Sequence, residues 1–331
     1  MHFLLNPGTD RRRPRHTARP FAVLRLGAAA IRCGLLWSGL WCGLCGAASA
    51  DAASVGSVSA VDDAGRQVTL AAPAARVIAL SPALTELVFA VGGGDRLAGA
   101  VEHSDYPEAA RQLPRVGDAL ALQMERILSL KPDLILAWRR GSNPRQLERL
   151  ADLGVPIYYH EVERLEDIAS SLERLGQLLG SPAAPAAESY LRRLRRLGAG
   201  IDAGALPVRV FYQVWAQPLM TINGRHVISN LIHRCGGANV FAAEPLLVPQ
   251  IGAEAVVAAA PEAIIGAAGN GRAGAAPASP LAHWGHYAGI PAVASGHLFL
   301  VDGDAISRAT PRLLDAGEAL CGHLDKVRGQ R

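Results

Sequence analysis

Apolar and polar positions alternate through VSAVDDAGRQVTL, from Val58 to Leu70, around Asp62-Asp63-Ala64-Gly65, and this predicts a β-hairpin. Beyond it the period changes. Arg76-Val77-Ile78-Ala79-Leu80 is a strand-like run, and a helical pattern follows from Leu84 to Gly94, started by Ser81-Pro82. The same order returns later in the chain: Arg209-Val210-Phe211-Tyr212 opens a strand, and Ile228 to Gly237 is a second helical pattern that ends in glycines. Glu125 stands seven residues ahead of Pro132 in QMERILSLKPDLILA, and Glu254 stands seven ahead of Pro261 in GAEAVVAAAPEAIIG. Each half then gives a further apolar run, Val155 to Tyr159 and Leu298 to Val301. Each closes on an amphipathic helix, Leu165 to Leu179 and Pro311 to Leu324. Strands alternating with helices, twice over, predict two mostly parallel α/β sheets in two lobes.

Between the copies lies SPAAPAAESYLRRLRRLGAGIDAGAL. Tyr190, Leu191, Leu194, Leu197 and Ile201 keep the three-and-four spacing of one helical stripe, with Arg192, Arg193, Arg195 and Arg196 on the other side. The pattern predicts one long helix over Ser181 to Leu206, with Ser181 as N-cap. About 22 residues at 1.5 Å each would span roughly 33 Å. The expected organisation is therefore a leader (1–50), the hairpin and a linker (51–75), a first lobe (76–180), the connecting helix (181–206) and a second lobe (207–331).

The chain has 331 residues and is 50% hydrophobic, enough for a sizeable core. Its formal charge of +4 is misleading, because residues 1–50 carry seven arginines and one aspartate, a net of +6, which leaves 4 − 6 = −2 for the rest. No basic stripe remains beyond the arginines of the connecting helix, which argues against a nucleic-acid partner. The N-terminus combines a charged region, an apolar stretch from Cys33 to Gly46 and Ala48-Ser49-Ala50, the pattern of a cleavable secretory signal. Three of the five cysteines, Cys33, Cys42 and Cys45, fall in that leader. The mature chain keeps Cys235 and Cys321, a candidate disulfide in an exported protein, the alternative being two buried free thiols.

The segments DDAGRQVTLAAPAARVIALSPALTELVFAVG, SDYP (Ser104 to Pro107), ERILSLKPDLILAWR (Glu125 to Arg139), CGGANVF (Cys235 to Phe241) and SRATPR (Ser307 to Arg312) carry a resemblance. Over residues 58–325 the chain resembles the substrate-binding proteins of bacterial ABC importers. The match is to the helical-backbone class that carries vitamin B12, haem and ferric siderophores, and the pattern lies nearest its cobalamin-binding branch. The resemblance implies two lobes joined by one rigid helix that move little on binding. It implies a periplasmic, monomeric receptor for a corrinoid, with haem or a ferric siderophore as the alternative ligand. No catalysis and no cofactor of its own are implied. Tyr106, Trp138, Asp304 and Arg308 match ligand-contacting positions, while Ala119, Val214, Met220 and Val248 stand where that branch has aromatic residues. Trp215, next to Val214, could restore one ring. Glu125 and Glu254 match acids that dock on arginines of the two permease subunits of the importer.

These residue types suit the chemistry. Rigid aromatic faces bury a large flat ligand at low entropy cost, and Asp304 with Arg308 would orient its polar groups. The plainer alternatives are a local ion pair for Asp304 and Arg308, and first-turn acids favoured by the helix dipole for Glu125 and Glu254. His283 and His286 lack a third metal ligand in sequence, whereas His103 or Tyr106 is the residue type that an axial haem ligand would need. An exported enzyme is the competing class, but the chain has no G-x-S-x-G elbow, no H-E-x-x-H and no Walker loop.

Overall fold

The computed structural model describes residues 56–118, 121–202, 204–268 and 279–331. The expected leader with its cleavage site and Ala119 lie outside these. Strands β1 (Val58–Val61) and β2 (Gln67–Leu70) form the antiparallel hairpin, Val58 opposite Leu70. The turn is set by Asp62, whose carboxylate accepts from the backbone N–H of Ala64 and Arg66.

The first lobe runs β3 (Val77–Ala79), α1 (Pro82–Ala90), β4 (Leu97–Ala100), α2 (Met124–Ser129), β5 (Leu134–Trp138), α3 (Pro144–Asp152), β6 (Ile157–His160) and α4 (Asp167–Leu179). Its sheet has the order β4-β3-β5-β6, with every neighbour parallel. β5 is buried along Leu134 to Ala137, the unbroken apolar run of a parallel strand covered on both faces.

Helix α5 (Ala184–Arg196) leads into the second lobe. It is shorter than the sequence pattern predicts: 13 residues, about 20 Å. Ala183, not Ser181, is its N-cap, with Pro185 in the first turn. Gly198, at φ +71°, takes the left-handed conformation that ends a helix and lies so near the Arg234 carbonyl that a side chain there would strike it. The apolar spacing thus outruns the helix.

The second lobe runs β7 (Val208–Gln213), β8 (Trp215–Ala216), β9 (Leu219–Met220), α6 (Val227–Arg234), β10 (Gly237–Asn239), α7 (Ala253–Ala259), β11 (Ala263–Ala268), α8 (Pro291–Ala294), β12 (Leu298–Asp302), α9 (Gly303–Ser307) and α10 (Leu313–Gly329). Its main sheet has the order β10-β7-β11-β12, again all parallel, and β8 and β9 form a small antiparallel ribbon at the end of β7.

The lobes are not independent below the cleft. One continuous apolar cluster runs from Ala60 in the hairpin through α4, Tyr190 and Leu194 of α5 to Leu320 and Val327 of α10. The outer face of each sheet has its own smaller cluster. Arg193 of α5 pairs with Asp315 (2.6 Å) and Glu318 (2.9 Å) of α10, and Tyr190 Oη donates to the Leu165 carbonyl at 2.9 Å. Cys235 and Cys321 form a disulfide with Cα atoms 4.7 Å apart, tying the end of α6 to α10. Shared packing of this kind favours lobes that stay in one relative position, since opening them would expose apolar surface.

Candidate functional site

The carboxyl ends of both sheets point at the space between the lobes, where open α/β sheets hold their ligands. Two cavities lie there. The first, about 380 Å³, is lined by the start of α1, Trp138, His160 and Glu161 from one lobe and by Arg225, His226, Leu247 and the Asp304 to Ala309 segment from the other. The second, about 740 Å³, is lined by His103 and Asp105 from the first lobe and by Gln213 to Gln217, the end of β11, Asp304 and Arg308 from the second. Both volumes fall in the range of small-molecule sites.

Asp304 and Arg308 border both cavities, and the structure gives Arg308 a role that its sequence match does not convey. Its terminal nitrogens donate to Glu86 Oε1 (2.8 Å), Asp105 Oδ1 (2.9 Å), the His103 carbonyl (3.2 Å) and Asp304 Oδ1 (3.2 Å). Three of these acceptors belong to the opposite lobe. Glu86, 4% exposed on α1, also accepts from Thr310 Oγ1 (2.9 Å) and Arg312 (3.0 Å). All four terminal N–H groups of Arg308 are engaged inside the protein, so it acts as a tie between lobes before it can orient a ligand. Burial pulls the Asp105 carboxyl upward, but the hydrogen bond and charge of Arg308 outweigh it and hold the group below the usual carboxylate range. Burial works against the Arg308 cation as well, and Glu86 and Asp105 more than compensate. A charged residue inside LTELVF of an apolar helix was the available sequence signal for Glu86. Its partners, more than two hundred residues away, were not readable.

Trp138, the last residue of β5, is 44% exposed into the first cavity. Trp215 stands in the second cavity on the β8 ribbon, 61% exposed, with Nε1–H donated to the Gln217 carbonyl at 2.8 Å. Val214 lines the same cavity. Tyr106 is not brought together with either tryptophan. It is 47% exposed and lines a separate depression of about 270 Å³, with the Arg312 guanidinium 4.0 Å above its ring. His103 lies at the second cavity at φ +64°, its carbonyl held by Arg308. His283 and His286 flank Trp284, which is fully buried and donates to Gln213 Oε1 at 2.7 Å. Among the described residues no group of three or more His, Cys, Asp or Glu side chains is placed to hold a metal ion.

Glu161 follows β6, the strand beside β5, in one of the loops at the carboxyl ends of the strands, where the sequence already places candidate ligand contacts, though its bond to Trp138 is not readable there. It is 9% exposed, accepts from Trp138 Nε1–H at 3.4 Å and lies 3.7 Å from Arg140. Burial pushes its carboxyl up, against the charge of Arg140 and the indole hydrogen bond. Two histidines border the same cavity. Burial lowers His160 and His226 to about 4 each, so both are neutral at neutral pH. His226 Nδ1 accepts the Ile228 N–H as the N-cap of α6, which requires that nitrogen to be unprotonated.

Away from the cavities, Glu125 and Glu254 occupy the same place in their lobes. Each is exposed, one residue into a short helix, α2 or α7, whose N-cap makes no side-chain bond. The copies agree further down the helix. Lys131 (φ +47°) and Ala260 (φ +42°) turn the chain into Pro132 and Pro261. Asp133 then accepts from the backbone N–H of Ala75 and Arg76, as Glu262 does from that of Arg209. Arg76 donates to the Leu130 carbonyl and Arg209 to the Ala259 carbonyl, five residues after Glu125 and Glu254 respectively. Each helix carrying one of these acids is therefore clamped at its far end by an arginine from the first strand region of its own lobe.

The model of the family described as periplasmic binding protein matches residues 77–305. A vitamin B12-binding protein from Vibrio parahaemolyticus is 36% identical over 261 residues, which cover 78% of this chain and 92% of that protein. One of the same name from Yersinia pestis is 38% identical over 263 residues, 78% and 90% of the two chains. Among solved structures, the periplasmic vitamin B12 binding protein BtuF of Vibrio cholerae superposes with a TM-score of 0.66 at 34% identity, covering 77% of this chain and 98% of that one. The family match starts with β3 at Val77 and ends within α9, so it takes in both walls of the cleft, and the chain belongs to the periplasmic binding protein family.

Proposed function

We propose that this protein captures a corrinoid, cobalamin itself or a close relative, in the cleft between its lobes and delivers it to an ABC importer in the inner membrane. The observation that carries the reading is the cleft. It lies at the carboxyl ends of both sheets, and each lobe offers it an exposed tryptophan, Trp138 or Trp215. The relatives named for vitamin B12 lend their ligand to that cleft. Trp138, Trp215 and Asp304 form its wall and Arg308 ties the lobes behind them, while Tyr106 lies in its own depression beside Arg312. The protein works in the periplasm as a monomeric receptor, after loss of the leader over 1–50, and binds its cargo without a catalytic step or a resident cofactor. Glu125 and Glu254 meet the two permease subunits, a pair of like charges in like settings for a partner built of two like halves.

One observation favours a second ligand class. His103 lies at the second cavity, and a structure described as a periplasmic haem-binding protein in complex with two haems is 27% identical with a TM-score of 0.65. Purification from cells supplied with either compound decides between them. The reading expects a cobalamin absorption band that is displaced by added cyanocobalamin and not by hemin. A Soret band with no cobalamin band would move the assignment to haem.

A further inference from the structure

Two residues hold the Trp138 ring in place without belonging to its surface. The first is Gly141. A Cβ built there would stand 1.7 Å from Cε3 and 2.0 Å from Cζ3 of the indole, so the ring lies directly on the glycine backbone. Gly141 is not among the residues at positive φ. Its backbone path is open to any residue, and what excludes a side chain is the ring. The N–H groups of Gly141 and Ser142 both donate to the Trp138 carbonyl, at 3.3 and 3.0 Å, which folds this floor under the indole in a tight turn.

The second is Glu161, at the ring's edge. Its Oε1 accepts the indole N–H at 3.4 Å, and its backbone N–H is pinned by Asp63 Oδ2 of the hairpin turn at 2.8 Å. Asp63 is itself paired with Arg174 at 2.6 Å. The hairpin thereby reaches the cleft through a short chain of contacts, from Asp63 to Glu161 to Trp138. Glu161 Oε2 is buried with no hydrogen-bond partner. A buried carboxyl with one oxygen unpartnered works against folding, which marks a group kept for the cleft and not for the core.

Taken with the reading of Trp138 as part of the ligand wall, on which the functional half rests, we infer that Gly141 and Glu161 are positioning residues. They fix the indole face toward the cleft before ligand arrives, so that a flat macrocycle stacks on a ring already in place. A ring fixed in advance loses little freedom on binding, and affinity gains by that saving.

The test joins a ligand-free spectrum to a binding cycle. In protein labelled with 5-fluorotryptophan, the Trp138 line is assigned by its loss in Trp138→Phe. It is expected to be narrow in the parent and in Glu161→Gln, which retains an acceptor for the indole N–H. It is expected to shift or broaden in Gly141→Ala and Glu161→Ala, while the Trp215 and Trp284 lines stay put. In calorimetry with cyanocobalamin, Gly141→Ala should weaken binding about tenfold in the parent. In a Trp138→Ala background it should change binding by less than about twofold, because its effect runs through the ring. A Trp138 line unmoved in both disturbing variants, or a Gly141→Ala effect that simply adds to Trp138→Ala, overturns the inference. If the fluorine lines behave as expected but the parent takes up no cyanocobalamin, the platform stands and the corrinoid reading fails.

Discussion

The two lobes are near copies where they carry Glu125 and Glu254, and they differ where they face the cleft. Around Glu125 and Glu254 the correspondence is residue for residue: an acid in the first turn, a left-handed residue and proline six and seven positions later, then an acid that holds the start of the first strand. At the rim it is lost. Trp138 ends β5, bedded on Gly141 and held by Glu161, whereas Trp215 stands on a two-residue ribbon with its N–H satisfied locally. Repetition is kept where a partner with two matching halves would be met. It is abandoned where one asymmetric ligand would fill one cleft.

The largest effect is expected on the repeated side. The double reversal Glu125→Arg with Glu254→Arg faces like charges across a contact at a cost of several kcal/mol. Uptake of labelled cyanocobalamin should collapse in cells that rely on this protein, with ligand affinity of the isolated protein unchanged. Either single reversal should fall between the parent and the double variant. Normal uptake by the double variant would remove the functional reason for the symmetry.

Next comes the tie that spans the two regions. Arg308→Met leaves Glu86 buried with only Thr310 and Arg312, and breaking a buried pair typically costs about 3–5 kcal/mol. The retained Arg312 bond places the expected loss at the lower end, read as a fall in denaturant midpoint. Adding Glu86→Gln should restore part of it, and a double variant no better than the single one would argue against a buried-charge cause.

The rim asymmetry gives a smaller and more discriminating effect. Trp138→Ala should weaken cyanocobalamin binding by at least about tenfold, the cost of a stacked aromatic in a buried contact. Trp215→Ala should cost less than about threefold, because a ring that is 61% exposed loses more of its freedom at the moment of binding. Equal effects would erase the distinction between the rims.

The smallest effect concerns pH, and here each lobe brings to the first cavity one histidine that burial holds neutral, His160 or His226. His160 and His226 have folded-state values near 4, below the ordinary value of 6.5, so the unfolded chain binds protons first. Their contribution is complete above about pH 6.5 and is lost as pH falls toward 4, by up to about 1.4 kcal/mol per pH unit for each histidine. His226→Asn keeps an N-cap acceptor and should roughly halve that slope in urea unfolding from pH 7 to 4. An unchanged slope would place the acid sensitivity elsewhere.

Much of this was legible in the sequence, for identifiable reasons. The hairpin, the parallel sheets and the register of Glu125 with Glu254 rest on local periods and offsets. Ser81 caps α1 as its position suggested, accepting from the Leu84 N–H at 3.2 Å, and Cys235 and Cys321 are joined. The connecting helix was overestimated because the apolar stripe continues to Ile201 while Gly198 has already ended the helix. Arg308 was matched to a ligand-contacting position by resemblance, and its ties to Glu86 and Asp105 were not readable because no local feature points to partners in the other lobe. Gly141 was invisible because it acts by lacking a side chain beneath a ring, while Glu161 was placed in a cleft loop by its position after a strand but its bond to Trp138, across to a neighbouring strand, was not readable.

The central claim, a corrinoid held in this cleft, is met most directly by titrating cyanocobalamin into the purified protein in a calorimeter, with hemin in a parallel titration. The account expects saturable one-to-one binding of cyanocobalamin that falls at least about tenfold in Trp138→Ala and is untouched by the Glu125 and Glu254 reversals. Tight hemin binding with no heat from cyanocobalamin, or cyanocobalamin binding indifferent to the loss of Trp138, would contradict it.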